Sequence, residues 1–342
     1  MKDSNNPINI SKSLILTKDS YINGGSFAIF KGINDLIYLI YKSKYDSIIC
    51  YDIKNKREFA KIKDEIFEDG IEIKHILDIK NKRDLIIVIS SWMPEYIKIY
   101  NLYNLERIIN IEYQRHNYTF SVCSIIDIKD NNNIKIITCN DYDISSCNKI
   151  KSFKIYDLKG ELLDEIDQEQ YNRTNFINSF NDYKSKKNFI ITGEDNCMNS
   201  YECEDNEIQL YHRYYDISND ERNYHRDIKI NQEKDEIIEL WNTEIRIWDF
   251  HSTKLVKKII VNEFDLYSIC IWDNNYLYVG SDDKSIKLIE INGESVVKCL
   301  TGHDKTIICL EKIFIPEYGE CLISLGDKDD QIRMWIDENY KL

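Results

Sequence analysis

The amino-acid sequence predicts an all-β fold in which seven four-stranded antiparallel blades form a ring, a β-propeller. Three observations carry this prediction. One strand-like segment recurs along most of the chain, the residues between its copies divide into four short strands, and an apolar segment near the N-terminus supplies a strand that the last unit lacks. A ring suits such units, because a four-stranded sheet cannot bury both of its faces alone.

The recurring segment alternates apolar and polar residues and in most copies ends in an aromatic residue. EIRIWD, residues 244–249, has this period of two, which is typical of a half-buried strand. The positions that follow the aromatic site in the seven copies are Asp52, Asn101, Asp157, Glu202, Asp249, Glu290 and Ile336. They lie 41 to 56 residues apart, close to the period of about 40–45 residues for a four-stranded propeller blade.

Each interval holds four short strands separated by turns. In residues 265–300 the segments LYSICI, YLYVGS, SIKLIE and SVVKCL follow one another and are joined by polar turns. Repetition of this order predicts one propeller domain over residues 1–342. The predicted blades span residues 24–63, 71–112, 120–167, 175–215, 224–262, 265–300 and 303–337.

The last predicted blade has only three strands, because the chain ends two residues after QIRMWIDENY (331–340). The segment SLILTK, residues 13–18, is an apolar strand that precedes the first blade. We expect it to pair with the last blade and close the ring. Such pairing would remove an exposed sheet edge, which is a liability for any sheet.

The composition is that of a folded globular chain. Hydrophobic residues make up 43% and aromatic residues 12% of the sequence, which is ample for a packed core. Most of the ten cysteines fall within apolar strand patterns, as Cys50, Cys270, Cys299 and Cys309 do. This placement predicts buried, reduced thiols in a cytosolic protein.

The charge and the hydropathy pattern exclude several classes of partner and location. A net charge of −14 disfavours a broad nucleic-acid or anionic-membrane surface, since both require Lys and Arg to neutralise phosphates. The first residues lack the apolar core of a signal peptide, and no apolar run is long enough to cross a bilayer. We therefore expect a cytoplasmic or nuclear protein without nucleic-acid binding or membrane insertion.

The C-terminal unit, TGHDKTIICLEKIFIPEYGECLISLGDKDDQIRMWI, resembles the WD-repeat (WD40) family of seven-bladed β-propellers. The end of EIRIWD, Trp248-Asp249, is similar to the Trp-Asp dipeptide of the same family. The resemblance implies a buried, hydrogen-bonded structural tetrad of His303, Ser324, Asp329 and Trp335. Tyrosine stands at the expected Trp position in other blades, at Tyr51, Tyr100, Tyr156 and Tyr201.

No catalytic motif is evident, and we expect a non-enzymatic protein without cofactor or metal. The sequence contains no glycine-rich phosphate loop, no His-Glu-x-x-His and no nucleophile elbow. Cys139 and Cys147, and likewise Cys197 and Cys203, are spaced too widely for the short ligand gaps of a zinc site.

Candidate partner-binding residues lie in loops that the WD-repeat resemblance assigns to one rim, the top. Arginine and aromatic side chains are enriched at binding hot spots, and on an acidic chain they predict a local site for an acidic or phosphorylated segment. Alternatively, some tyrosines pack within the sheet, and Asp216, Asp220 and Glu221 neutralise the arginines. The candidates are Trp92, Arg115, His116, Tyr118, Arg213, Tyr214, Arg222, Tyr224, His225 and Arg226.

Together these features predict an interaction scaffold or adaptor that presents a rigid surface to one or more proteins, as a member of a multiprotein complex. Nothing in the sequence requires a homo-oligomer. Two alternatives remain: a propeller that binds phosphoinositide head groups at membranes, and an enzyme with a site in the ring opening.

Overall fold

A computed structural model describes most of the chain. The described residues are 7–18, 20, 26–45, 47–63, 71–79, 81–90, 95–113, 122–126, 134–143, 149–169, 174–182, 184–194, 197–204, 207–215, 225–261, 263–329 and 331–337. Within them lie 28 β-strands and one short 3-10 helix, Pro7–Asn9. No helix in this part of the chain is long and apolar enough to span a membrane.

The strands form seven antiparallel four-stranded sheets, which we call blades 1 to 7 in chain order. The first strand, β1 (Lys12–Thr17), belongs to blade 7. Blade 1 comprises β2 (Ala28–Lys31), β3 (Ile37–Ser43), β4 (Ser47–Asp52) and β5 (Arg57–Ile62), and blade 2 comprises β6 (Ile71–Asp78), β7 (Arg83–Ser90), β8 (Glu95–Asn101) and β9 (Arg107–Tyr113). Blade 3 comprises β10 (Val122–Ile126), β11 (Lys135–Asp143), β12 (Lys149–Tyr156) and β13 (Leu162–Glu169).

The remaining blades repeat this order. Blade 4 comprises β14 (Thr174–Asp182), β15 (Lys187–Glu194), β16 (Met198–Glu204) and β17 (Glu207–Tyr214), and blade 5 comprises β18 (His225–Asn231), β19 (Glu236–Trp241), β20 (Glu244–Asp249) and β21 (Leu255–Ile260). Blade 6 comprises β22 (Leu266–Ile271), β23 (Tyr276–Ser281), β24 (Ser285–Glu290) and β25 (Ser295–Thr301). Blade 7 comprises β26 (Ile307–Ile315), β27 (Gly319–Gly326), β28 (Ile332–Ile336) and β1.

The predicted ring of seven blades is confirmed. The first strand of a blade contacts the first strand of its neighbour, as β18 contacts β22 and β22 contacts β26, so these strands surround a central channel. We call the channel end where the first strands begin the upper mouth, and the end where they finish the lower mouth. The third strand of every blade ends at, or within two residues of, the position aligned in the sequence.

Seven separate hydrophobic cores hold the ring together, one between each pair of neighbouring blades. Because side chains alternate along a strand, each blade sends one face to each neighbour. In β20, Ile245 and Ile247 face blade 6, whereas Trp248 faces blade 4. The alternating side chains of EIRIWD therefore pack into two different cores, one on each side of the blade.

The N-terminal strand lies at the outer edge of blade 7. β1 pairs antiparallel with β28, and Lys12 lies opposite Ile336. Leu14 and Leu16 pack against the core between blades 7 and 1, and Ile10 is buried in the core between blades 6 and 7. β1 is thus the fourth strand of blade 7.

Eight of the cysteines among the described residues are free thiols, and seven of these eight are buried. Cys299 is the exception and corrects the expectation from sequence. It lies on β25, the outermost strand of blade 6, where most side chains contact solvent. Burial raises the pKa of Cys50, Cys203, Cys270 and Cys321 to about 12, so these thiols stay protonated.

Candidate functional site at the central channel

The four residues of the predicted tetrad form one chain of hydrogen bonds in blade 7. His303 Nδ1 lies 2.6 Å from an Asp329 carboxylate oxygen, and its Nε2 lies 2.7 Å from Ser324 Oγ. Trp335 Nε1 donates to the same hydroxyl at 2.7 Å. Burial disfavours the charge on Asp329, but the contact with His303, together with the Gln331 N–H and the Arg333 charge, outweighs it and lowers the carboxyl pKa. The chain ties a loop, a turn and two strands, which is a structural role.

Blade 5 contains a related hydrogen-bonded cluster that was not predicted from the sequence. Glu239 lies opposite Arg246 in the same register in which Ser324 lies opposite Arg333. One Glu239 oxygen contacts His225 Nδ1, and the other accepts a hydrogen bond of 2.7 Å from Trp248 Nε1. A glutamate amid apolar residues in EIIELW was the available signal, because a buried carboxylate requires donors.

Two of the predicted docking residues are buried, which corrects the expectation that they face a partner. Tyr214 is 1% exposed and donates its hydroxyl to the Phe250 carbonyl oxygen at 2.7 Å. His225 is 6% exposed and belongs to the Glu239 cluster. The alternation of β17 and β18 turns both side chains into the core.

Two predicted docking residues, Arg213 and Arg226, lie at the surface but at different radii of the ring. Arg213 is exposed on the outermost strand of blade 4, and Arg226 lies on the innermost strand of blade 5. The remaining candidates lie outside the described residues: Trp92, Arg115, His116, Tyr118, Arg222 and Tyr224.

The upper mouth carries an aromatic and charged cluster on blades 5 and 6. The Arg226 guanidinium lies over the Tyr267 ring, 4.7 Å from its centroid, and pairs with Asp265 at 3.1 Å. Burial raises the pKa of Tyr267, and the carboxylates of Asp282 and Asp327 act in the same direction. The mouth is therefore acidic around a partly exposed tyrosine.

Backbone hydrogen bonds hold the loops of this cluster in place. Asp282 N donates to the Asp265 carbonyl oxygen at 2.9 Å, and Asp327 N donates to that of Thr306 at 2.7 Å. The Thr306 hydroxyl donates to the Asp282 carboxylate and links the loops of blades 6 and 7. The cluster is thus preformed on a fixed backbone.

Deeper in the channel, three charged side chains from blades 5 and 7 interact. Lys229 Nζ lies 3.1 Å from a Glu311 oxygen, and Asp227 accepts a 3.0 Å hydrogen bond from Ile269 N. Burial raises the pKa of Asp227 to about 6, although Lys229 opposes the shift. Burial disfavours the charged form of Lys229, but Glu311 and Asp227 outweigh it and raise the Lys229 pKa.

The lower half of the channel contains a cavity of about 670 Å³. Apolar side chains of blades 1 to 3 form one wall, and polar side chains of blades 2, 4 and 7 form the rest. The apolar lining residues are Phe27, Ala28, Ile29, Phe30, Ile73, Ile76, Leu77, Ile79 and Ile134. The polar lining residues are Lys74, His75, Asn178, Ser179, Asn181 and Glu311.

His75, in the wall of this cavity, is fixed by a buried carboxylate. Its Nε2 lies 2.7 Å from Asp84, which also accepts hydrogen bonds from the Tyr103 hydroxyl at 2.5 Å and from Ile33 N at 2.9 Å. The His75 ring stacks on Phe30 with centroids 3.5 Å apart. Burial lowers the pKa of His75, although Asp84 partly offsets the effect, so the imidazole is neutral near pH 7.

Among the described residues, no group of three or more His, Cys, Asp or Glu side chains has the geometry of a metal site. No protein-family model matches the chain, and no curated protein matches its sequence. Function is therefore inferred from the ring and its channel.

Proposed function

We propose that the protein is a non-enzymatic interaction scaffold of the WD-repeat type, acting in a cytoplasmic or nuclear multiprotein complex. The observation that carries the proposal is the cluster of Tyr267, Arg226 and Asp265 at the upper mouth. A tyrosine and an arginine in a partly buried setting are the side chains most often found at binding hot spots. We assign docking to this mouth on blades 5 to 7.

The loop structure supports tight docking. The loops that carry Asp265, Asp282, Thr306 and Asp327 are joined by backbone hydrogen bonds. A partner would therefore bind a preformed surface and would not lose affinity to loop ordering.

The charges of this mouth favour a basic partner segment. The Arg226 charge is matched by Asp265, and Asp282 and Asp327 add two more carboxylates near Tyr267. Complementary charge speeds association and selects among partners. An acidic or phosphorylated segment would require the arginines of other loops, of which Arg213 is the described example.

Site-specific cross-linking tests the proposal. A photoreactive amino acid replaces Tyr267 in one version of the protein and Ile260, an outer-strand residue that is 76% exposed, in another. In a lysate of the source organism we expect a discrete cross-linked partner from position 267. The protein that carries the photoreactive group at position 260 should not cross-link to that partner. Asp282→Lys should reduce the yield at position 267 at least about fivefold, as loss of a favourable charge pair predicts. The same products from both positions would contradict docking at the upper mouth.

A further inference from the structure

The lower mouth of the channel combines a cavity with an exposed apolar rim. Ile33, Leu77, Ile79 and Phe314 are each between 42% and 52% exposed. They lie at or beside the lower ends of the first strands of blades 7, 1 and 2, which are neighbours in the ring. Leu77 and Ile79 also line the cavity. Exposed apolar side chains that continue into a pocket mark binding surfaces.

The charges of the cavity wall are already balanced. Lys74 pairs with Glu72 at 3.1 Å, and Glu311 pairs with Lys229 at 3.1 Å. His75 is held by Asp84. A charged ligand would compete with these pairs, whereas an uncharged ligand would leave them intact, so charge complementarity favours a neutral occupant.

One polar atom in the wall is free to bind a donor. Because His75 Nε2 donates to Asp84, the proton lies on Nε2 and Nδ1 carries a lone pair. His75 Nδ1 has no hydrogen-bond partner in the described part of the chain, and it is not among the atoms sealed from solvent. The fully buried Asp84 accepts three hydrogen bonds and fixes this orientation.

We propose that the lower mouth is a docking site for a partner-protein segment that inserts a tryptophan or tyrosine side chain into the cavity. The aromatic ring packs on the apolar wall of blades 1 and 2, and its N–H or O–H donates to His75 Nδ1. A protein segment fits better than a small molecule, because the rim of Ile33, Leu77, Ile79 and Phe314 extends beyond the cavity and needs a larger partner to cover it. This inference rests on the proposed scaffold function but assigns it a second surface and a partner chemistry.

The test uses the purified full-length protein and probes that differ in one hydrogen-bond donor. The first probe is N-acetyl-tryptophanamide, and the second is its N1-methyl-indole analogue. Calorimetric titration should show saturable binding of the first probe and binding at least about fivefold weaker for the second, as loss of one hydrogen bond predicts. A pentapeptide with a central tryptophan and flanking alanines should bind at least about threefold more tightly than the single residue, because it also covers the rim.

Two variants separate the contributions. His75→Phe keeps an aromatic ring against Phe30 but removes both the Nδ1 acceptor and the Nε2 donor to Asp84, and should abolish the difference between the two indole probes. Ile79→Glu changes a half-exposed residue of the rim and should weaken the binding of all three probes. If His75→Phe does not fold, the two indole probes on the wild-type protein still test whether the indole N–H contributes to binding.

Three results would overturn the inference. These are no saturable binding of any probe, equal binding of the two indole probes to the wild-type protein, and equal binding of the pentapeptide and the single residue. The last would indicate a small-molecule cavity in place of a docking site. Because the assay involves neither the upper mouth nor a lysate, it can fail while cross-linking at position 267 succeeds, and the reverse.

Discussion

At the scale of single residues, two different side chains occupy the same register position and accept the same tryptophan hydrogen bond. Ser324 in blade 7 and Glu239 in blade 5 are both fully buried, and both accept the indole N–H of the tryptophan on the next strand. Each also contacts a histidine at the start of its blade. Burial of a carboxylate costs more than burial of a hydroxyl, so Glu239 depends more strongly on both of its donors.

The channel carboxylate Asp227 gives a pH-dependent prediction. Its pKa is about 6 in the folded protein, against about 3.9 in an unfolded chain. Between these values the unfolded state has lost the proton that the folded state retains, so stability falls as pH rises from about 4 to 6. Asp227→Asn cannot ionise. Its stability relative to wild type should therefore increase over this interval and stay constant above it.

Urea denaturation of wild type and Asp227→Asn at pH 4 and pH 7.5 measures this difference. Asp304→Asn, on an exposed loop of blade 7, is the matched charge-removal control and should change stability by less than about 0.5 kcal/mol. If Asp227→Asn is less stable than wild type by the same amount at both pH values, the carboxylate is not held at a raised pKa.

At the scale of elements, β1 has one face that packs against a core and one face that is exposed to solvent. Leu16 packs against the core between blades 7 and 1, while its neighbour Ile15 is 41% exposed. Leu16→Asp would place an unpaired charge against that core and should cost about 2–3 kcal/mol. Ile15→Asp makes the same change of charge toward solvent and should cost less than about 1 kcal/mol.

Denaturant midpoints of the two β1 variants measure this contrast. Size-exclusion chromatography of Leu16→Asp should also reveal self-association, because a weakened β1 uncovers the edge of β28. Equal destabilisation by both changes would mean that β1 does not dock through its Leu14–Leu16 face.

At the scale of the whole molecule, protection from solvent should vary with radius. The second strand of blade 6, β23, is almost entirely buried, whereas the outermost strand, β25, is mostly exposed and has a partner on one side only. Hydrogen–deuterium exchange should therefore be roughly 100-fold slower in β23 than in β25, because edge strands open locally. Equal rates would indicate that each blade opens as one unit.

The ring was predictable because its signal is repeated. Seven copies of an alternating strand keep step even where tyrosine replaces tryptophan, and the third strands end where the aligned positions fall. The positions of Tyr214 and His225 were not predictable from composition, since an Arg- and Tyr-rich segment reads alike whether it lies in a loop or a strand. His75 and Asp84 lie on two different strands of blade 2, and Asp84 also accepts a hydrogen bond from a turn of blade 1. No local sequence pattern indicates these contacts.

The closing pair of strands also sets the timing of folding. Lys12 and Ile336, which face each other across β1 and β28, are separated by almost the entire chain. During synthesis β1 leaves the ribosome before the other strands of the ring and has no partner until β28 follows. Until that moment the facing surfaces of blades 1 and 7, with Leu39 and Ile323 among them, cannot form their shared core. A nascent chain with such surfaces is prone to aggregate, so we expect ring closure to be the late step that chaperones protect.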